Sequence, residues 1–129
     1  MPHLSMEYSA GLEARCDMQT VARTAYQAMI DAGIFPVGGI RVRAYRADIA
    51  IVADDHPEND FLAMTLAVGA GRDKDTLKAA GDTIFAAVQG ALAGPLGTPH
   101  FALSLEIREI DPALSWKDTP IHARLSKKD

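Results

Sequence analysis

Residues 61–107 read FLAMTLAVGAGRDKDTLKAAGDTIFAAVQGALAGPLGTPHFALSLEI, and they predict a strand, a helix and a second strand. The apolar runs at 61–68 and 101–107 have the length and composition of strands, and residues 69–71 form a glycine-rich turn after the first run. The segment between the turn and the second run has the apolar period of a helix. This β-α-β unit decides the fold of the chain.

The helix of this unit has a start signal, an apolar face and a stop signal. Either Asp73 or Asp75 can be its N-cap, because a carboxylate accepts hydrogen bonds from the free amides of the first turn. Gly94 and Pro95 are expected to end the helix. The apolar side chains recur at the spacing of one helix face and are Leu77, Ala80, Ile84, Val88 and Leu92.

Outward from this unit, residues 2–45 repeat the same order of elements. Residues 2–8 alternate apolar and polar side chains, as a half-buried strand does, and residues 40–45 predict a second strand. Between the two strands, Asp17 can cap a helix and Gly33 can end it. One face of that helix carries Met18, Val21, Ala22, Ala25, Tyr26 and Met29.

The two units predict an α+β fold. Strands joined through a helix of this length are parallel, with a right-handed crossover. We therefore expect one domain over residues 1–129, with repeat one at about 2–45 and repeat two at about 61–107. Its four strands should form a single sheet with both helices on one face.

Two segments fall outside the repeats. Residues 54–60 are polar and contain a proline, so they predict a surface loop. Residues 112–129 predict a C-terminal tail. Its single tryptophan, Trp116, either anchors the tail by packing or lies at the rim of a pocket.

The sheet face opposite the helices needs a cover. It carries small side chains, which allow another protein surface to approach closely. We infer a homo-oligomer whose sheets pack together, and closed symmetry makes it a ring or a dimer. The small side chains are Ser5, Ala63, Thr65, Ala67, Ala102 and Ser104.

Composition excludes several classes of function. A net charge of −4 and a pI near 5.5 argue against a nucleic-acid binder, which gains affinity by neutralising phosphates. No apolar run approaches the ~20 residues of a transmembrane helix, and no secretory signal is expected. The single Cys16 predicts a reducing cytoplasm. The histidines are scattered without zinc-ligand spacing, so no metal is expected; they are His3, His56, His100 and His122.

Pro2 is the first candidate for chemistry. Removal of Met1 would leave a secondary amine at the start of a strand. An α-amino group titrates at about 7.7–8.0, and arginines nearby together with partial burial would lower its pKa toward neutrality. Such a base is suited to removing a proton next to a carbonyl group. Alternatively, Pro2 only fills the first position of a strand, where a proline removes no ladder hydrogen bond.

Arg41 and Arg72 are the candidate substrate ligands. Guanidinium groups bind carboxylates in a planar, bidentate fashion, and they stabilise the charge of a developing enolate. The alternative is a solvated face or salt bridges to glutamates on neighbouring strands. We favour that second interpretation for Arg43 and Arg46.

Four features resemble one known family along nearly the whole chain. They are Pro2 ahead of a β-α-β repeat, GIFPVGGIRVR at 33–43, MTLAVGAGR at 64–72 and FALSLEIREIDP at 101–112. In this order and spacing they resemble the 5-carboxymethyl-2-hydroxymuconate isomerases of the tautomerase superfamily.

The resemblance implies a homotrimer that uses neither a metal nor an organic cofactor. It implies that Pro2, freed by removal of Met1, is the catalytic base, and that Arg41 and Arg72 bind the carboxylates of a small dienol substrate. The implied reaction converts 5-carboxymethyl-2-hydroxymuconate to its 2-oxo-3-ene isomer during degradation of homoprotocatechuate (4-hydroxyphenylacetate). Shorter tautomerases carry an arginine after their first strand. Since Leu12 occupies that place here, the site would take Arg72 from the other repeat or from another subunit.

Two other functions stay open on the sequence. A related tautomerase could act on another 2-hydroxydienoate or on a phenylpyruvate-type substrate, because one fold and one proline serve several reactions. A non-catalytic trimeric ligand-binding protein is the second alternative, and it would retain Met1 in most molecules.

Overall fold

The structure is a computed structural model that describes residues 1–126, so residues 127–129 of the predicted tail lie outside the described residues. The strands are β1 (His3–Ser9), β2 (Arg41–Ala47), β3 (Asp60–Gly69) and β4 (Phe101–Ile110). The α-helices are α1 (Met18–Asp31), α2 (Lys74–Ala91), α3 (Ala93–Leu96) and α4 (Pro120–Ser126). Short 3-10 helices lie at Ala10–Ala14, Val37–Gly39 and Pro112–Leu114. Within the described range, every helix is too short or too polar to cross a membrane.

The four strands form one sheet in the order β2-β1-β3-β4. The outer pairs, β1 with β2 and β3 with β4, are parallel, whereas the central pair of β1 and β3 is antiparallel. A helix connects each parallel pair, because parallel neighbours need a crossover connection. The predicted α+β fold, with two β-α-β units in a four-stranded sheet, is confirmed.

The hydrophobic core lies between the sheet and the contacting helices α1 and α2. The side chains of Leu4 and Met6 on β1 are fully buried, and β3 alternates between buried and half-buried residues along its length. Period-2 alternation therefore identifies the core face of both central strands correctly. The predicted stripe of α2 is confirmed too, since Leu77, Ala80, Ile84, Val88 and Leu92 are all buried.

Local chemistry sets the helix boundaries. The Asp17 carboxylate accepts a hydrogen bond from the Gln19 amide at 3.0 Å, and the Asp73 carboxylate accepts one from the Thr76 amide at 2.7 Å. These bonds satisfy amides that have no partner within the helix, so both residues are N-caps. Gly33, with φ of +75°, adopts the left-handed conformation that follows the end of α1.

The predicted stop signal of α2 is wrong in detail. The helix ends at Ala91, where Leu92 leaves the helical conformation with φ −114° and ψ 27°. Gly94 and Pro95 do not end α2; they lie within α3. A proline is tolerated there because the first amides of a helix have no internal acceptor to lose.

The predicted surface loop at 54–60 is wrong at its last residue. Asp60 is the first residue of β3 and is only 6% exposed. Its carboxylate accepts a hydrogen bond from the Ser9 hydroxyl at 2.7 Å and pairs with the Arg15 guanidinium at 3.2 Å. These partners offset the cost of burying the charge, and they tie the start of β3 to the end of β1.

The predicted anchoring role of Trp116 is wrong on this chain, because its side chain is 85% exposed. The tail is held instead by α4, which packs against the 3-10 helix at Val37–Gly39. The approach is close: a Cβ on Gly38 would lie 2.8 Å from His122 Cα. This packing brings residues 112–117 beside the amino terminus, since Ser115 and Lys117 line the same cavity as Met1.

The sheet face opposite the helices carries the small side chains that the sequence predicts. Ser5 lies beside Thr65 on the central strands, and Ala63 lies beside Ser104 on β3 and β4. Ser5, Ala63 and Thr65 are half-buried, whereas Ser104 is exposed. The helices α1 and α2 pack on the other face of the sheet and leave this face uncovered.

Candidate active site

The candidate site lies at one edge of the sheet, where the amino ends of β1 and β2 meet the carboxyl ends of β3 and β4. The parallel register sets His3 opposite Arg41, and the antiparallel register sets His3 opposite Ala67. Ala67 is two residues before the end of β3, and Gly69 pairs with Ile110 at the end of β4. The topology therefore brings four strand ends to the amino terminus.

Pro2 is buried directly before β1. Its carbonyl oxygen accepts a hydrogen bond from the Arg41 amide at 3.0 Å, which fixes the start of β1 against β2. Gly39 allows the amino terminus to approach closely, because a Cβ there would lie 3.2 Å from Pro2 Cδ and 3.3 Å from Met1 Cα. With Met1 present, the Pro2 nitrogen is a peptide nitrogen, and the free amine belongs to Met1.

The Arg41 side chain folds back toward the amino terminus. Its Nη1 donates to the Gly39 carbonyl oxygen at 3.3 Å and lies 3.3 Å from His3 Nε2. Burial lowers the pKa of His3, and the charges of Arg41 and Arg43 lower it further. The neutral imidazole can then accept a hydrogen bond from Arg41.

Arg72 follows the turn after β3 and is tied to a neighbouring loop. Its Nη2 donates to the Ile34 carbonyl oxygen at 3.0 Å, and its Nη1 donates to the Gly69 carbonyl oxygen at 3.4 Å. The guanidinium also lies 5.2 Å from the centre of the Phe35 ring. Two carbonyls and an aromatic face hold this cation in place beside the loop at Ile34 and Phe35.

Burial and nearby positive charges lower the pKa of the amino terminus. Burial lowers the pKa of the Met1 amino group below its ordinary value of 8.0, and the charges of Lys117, Arg72 and Arg41 lower it further, in that order. An amine among three cations loses its proton more readily, because the charged form is repelled and poorly solvated. The charges of Arg41 and Arg72 therefore both act on the amino terminus next to Pro2.

Lys117 lies at this site although no sequence pattern predicts it there. It lines a cavity of about 220 Å³ beside Met1, together with the ends of β3 and β4 and with Ser115. In the sequence it is one lysine in a polar tail. Lys117 reaches the amino terminus because α4, which follows it, packs against the 3-10 helix at Val37–Gly39. No local sequence pattern specifies that contact.

A larger cavity lies elsewhere. It measures about 630 Å³ and runs between α2 and β4, where Leu77, Phe85 and Leu105 line it. Four charged residues also line it: Lys74, Lys78 and Asp82 on α2 and Glu109 on β4. The smaller cavity at the amino terminus is the better candidate for chemistry, because it adjoins an amine whose pKa is lowered by burial and by three cations.

The prediction that the histidines are scattered is wrong for one pair. His56 and His100 stack with ring centroids 4.1 Å apart, and Glu58 Oε2 lies 3.5 Å from His100 Nε2. Hydrogen bonds occupy both Nδ1 atoms: Asn59 Oδ1 lies 2.9 Å from that of His100, and the Glu58 amide donates to that of His56 at 3.1 Å. An imidazole that accepts at Nδ1 carries its proton on Nε2, so His56 offers no free lone pair to a metal in this arrangement.

The comparisons with known proteins agree with this fold. The sequence matches the family described as 5-carboxymethyl-2-hydroxymuconate isomerase over residues 2–125. It is 32% identical over 123 residues to the 5-carboxymethyl-2-hydroxymuconate Delta-isomerase of Escherichia coli, covering 95% of this chain and 98% of that protein. A crystal structure of a 5-carboxymethyl-2-hydroxymuconate isomerase from Deinococcus radiodurans R1 has a TM-score of 0.89 and 36% identity, covering 98% of this chain and 95% of that one.

A more distant likeness concerns the fold alone. A fused 4-OT solved as a symmetric trimer has a TM-score of 0.63 at 17% identity, covering 94% of this chain and 98% of that one. The family match and the relatives at 32% and 36% identity define the protein as an isomerase. The chain belongs to the 5-carboxymethyl-2-hydroxymuconate isomerase family.

Proposed function

We propose that the protein isomerises 5-carboxymethyl-2-hydroxymuconate in homoprotocatechuate degradation, with the amine of Pro2 as the acid and base after Met1 is removed. The observation that carries this proposal is the half-buried amino terminus, whose amine has its pKa lowered by burial and by three cations beside a cavity. A Pro2 amine would take the place of the Met1 amine in the same surroundings. Its ring would hold the lone pair in one direction at the start of β1.

The proton transfer follows from the chemistry of the substrate. The neutral Pro2 nitrogen removes the proton of the 2-hydroxyl group, so the O–H bond breaks, an N–H bond forms and C2 becomes a carbonyl. The electron pair moves along the conjugated chain, and the protonated amine delivers the same proton to C5. The product is the 2-oxo-3-ene isomer, and the amine returns to its neutral form.

Arg41 and Arg72 have the role of binding carboxylates and stabilising the delocalised anion. General acid–base catalysis typically contributes about 10²–10⁴-fold, so positioning and electrostatic stabilisation must supply the rest. Arg41 is well placed for this, because its amide is hydrogen-bonded to the Pro2 carbonyl. Neither step draws on a metal or an organic cofactor.

We further propose a homotrimer that works in the cytoplasm. The face of small side chains opposite the helices supports close packing of another subunit, and the distant fused 4-OT is a symmetric trimer. Cys16, the single cysteine, suits a reducing compartment.

The function is tested with processed protein, from which Met1 has been removed. Removal is verified by intact mass, and the protein is assayed on two substrates. One is the tricarboxylate 5-carboxymethyl-2-hydroxymuconate, and the other is 2-hydroxymuconate, which lacks the carboxymethyl arm. We expect a higher kcat/KM for the tricarboxylate. A higher value for the dicarboxylate would favour a related tautomerase, and no turnover of either would overturn the proposal.

Replacing Gly39 with alanine should lower kcat about tenfold, because the new Cβ would press on Pro2 Cδ at 3.2 Å and displace the amine. Steady-state kinetics on the tricarboxylate measure the effect. Gly90→Ala is the matched control, since a Cβ at Gly90 has no neighbour within 4 Å. Unchanged kcat in the Gly39 variant would show that the position of Pro2 does not limit the reaction.

A further inference from the structure

The cavity beside Met1 has the composition of a small anion-binding subsite. Ile110 and Pro112 supply apolar walls, Ser115 supplies a hydroxyl group and Lys117 supplies a positive charge. Its volume of about 220 Å³ exceeds the ~30 Å³ share of one water molecule several-fold. Met1 forms part of the wall, so its removal opens the cavity toward Pro2.

The number of carboxylates on the proposed substrate, compared with the number of cations at the site, indicates what such a subsite would bind. The proposed substrate has three carboxylates, one at each end of the muconate chain and one on the carboxymethyl arm. Arg41 and Arg72 can hold two of them, which leaves one without a cation. Lys117 is the third positive side chain that acts on the amino terminus, and its charge acts more strongly there than that of either arginine.

We propose that this cavity is the subsite for the carboxymethyl arm, with the Lys117 ammonium group bound to the carboxylate of the arm. The proposal rests on the proposed function. The methylene group of the arm contacts the apolar wall, and the Ser115 hydroxyl donates a second hydrogen bond to the carboxylate. A lysine suits a flexible arm, because an ammonium group accepts a carboxylate from many directions, whereas a guanidinium requires a planar approach.

The test uses Lys117→Met, which keeps most of the length of the side chain and removes its charge. Processed full-length protein is assayed on the tricarboxylate and on 2-hydroxymuconate, above the pH at which the amine titrates. We expect KM for the tricarboxylate to rise about tenfold and kcat/KM for the dicarboxylate to change less than about twofold. Lys117→Arg should recover part of the loss, and Lys78→Met, on the exposed face of α2, is the charge-matched control.

Each result has a definite meaning. Equal losses on both substrates would assign Lys117 to tuning the amine or holding the tail, and would overturn the subsite. No loss on either substrate would also overturn it. Failure of the unmodified protein to convert either substrate would instead reject the proposed function, so the two failures are distinguishable.

Discussion

Replacing Pro2 with alanine should lower kcat/KM for isomerisation by about 10²-fold, because the base would become a flexible primary amine. Proline fixes the nitrogen in a ring, and the bond from the Arg41 amide to the Pro2 carbonyl holds that ring against β2. An alanine amine can rotate away from the substrate. The measurement is kcat/KM on 5-carboxymethyl-2-hydroxymuconate, with intact mass proving that Met1 is absent from both proteins.

Pro57→Ala is the matched control, because Pro57 lies in the exposed loop before β3 and is remote from the amino terminus. It should retain full activity. Unaltered kcat/KM in processed Pro2→Ala protein would show that the proline ring is not needed to position the base, whatever the fold.

Replacing Arg41 with alanine should lower kcat by about 10²–10³-fold, the usual result of removing a group that stabilises a developing anion. The loss should appear in kcat as well as KM, since the anion is delocalised only as the proton moves. The acidic limb of the pH profile should also move to higher pH. The charge of Arg41 lowers the pKa of the Met1 amine, and we expect the same effect on the Pro2 amine that takes its place. Removal of that charge should therefore raise the pKa of the base and leave less neutral base at a given pH.

Arg46→Ala is the control for this experiment. Arg46 is on the same strand, about 16 Å further along at ~3.3 Å per residue, and pairs with Glu13 at 3.2 Å. Its removal should leave kcat unchanged. An equal loss in both variants would indicate that β2 needs its positive charge for structure, not for the reaction.

Much of the fold could be predicted because its signals are local. Alternation in residues 2–8 identifies the buried face of β1, and Asp17 and Asp73 mark the helix starts through bonds to amides two or three residues away. Repetition of the β-α-β order then limits the sheet topologies that the four strands can form. Pro2 and Arg41 follow from the same reasoning, since the starts of two neighbouring parallel strands lie side by side.

The errors concern contacts between residues far apart in sequence. Asp60 looks like the last polar residue of a loop until Ser9 and Arg15 supply its partners. The stacking of His56 on His100 depends on the pairing of β3 with β4, which no spacing of histidines specifies.

The same limit applies to the tail. Lys117 reaches the amino terminus because α4 packs against the residues around Gly38, and that contact joins segments about eighty residues apart. A polar tail sequence contains no local signal for such a return.

The central claim is that a free Pro2 amine moves the proton, and the most direct test compares the same chain with and without Met1. Both forms are purified, verified by intact mass and assayed on 5-carboxymethyl-2-hydroxymuconate. The form that retains Met1 should show no rate above the uncatalysed reaction, because its Pro2 nitrogen is an amide. Treating it with a methionine aminopeptidase should restore full activity. Equal rates in the two forms would contradict the mechanism.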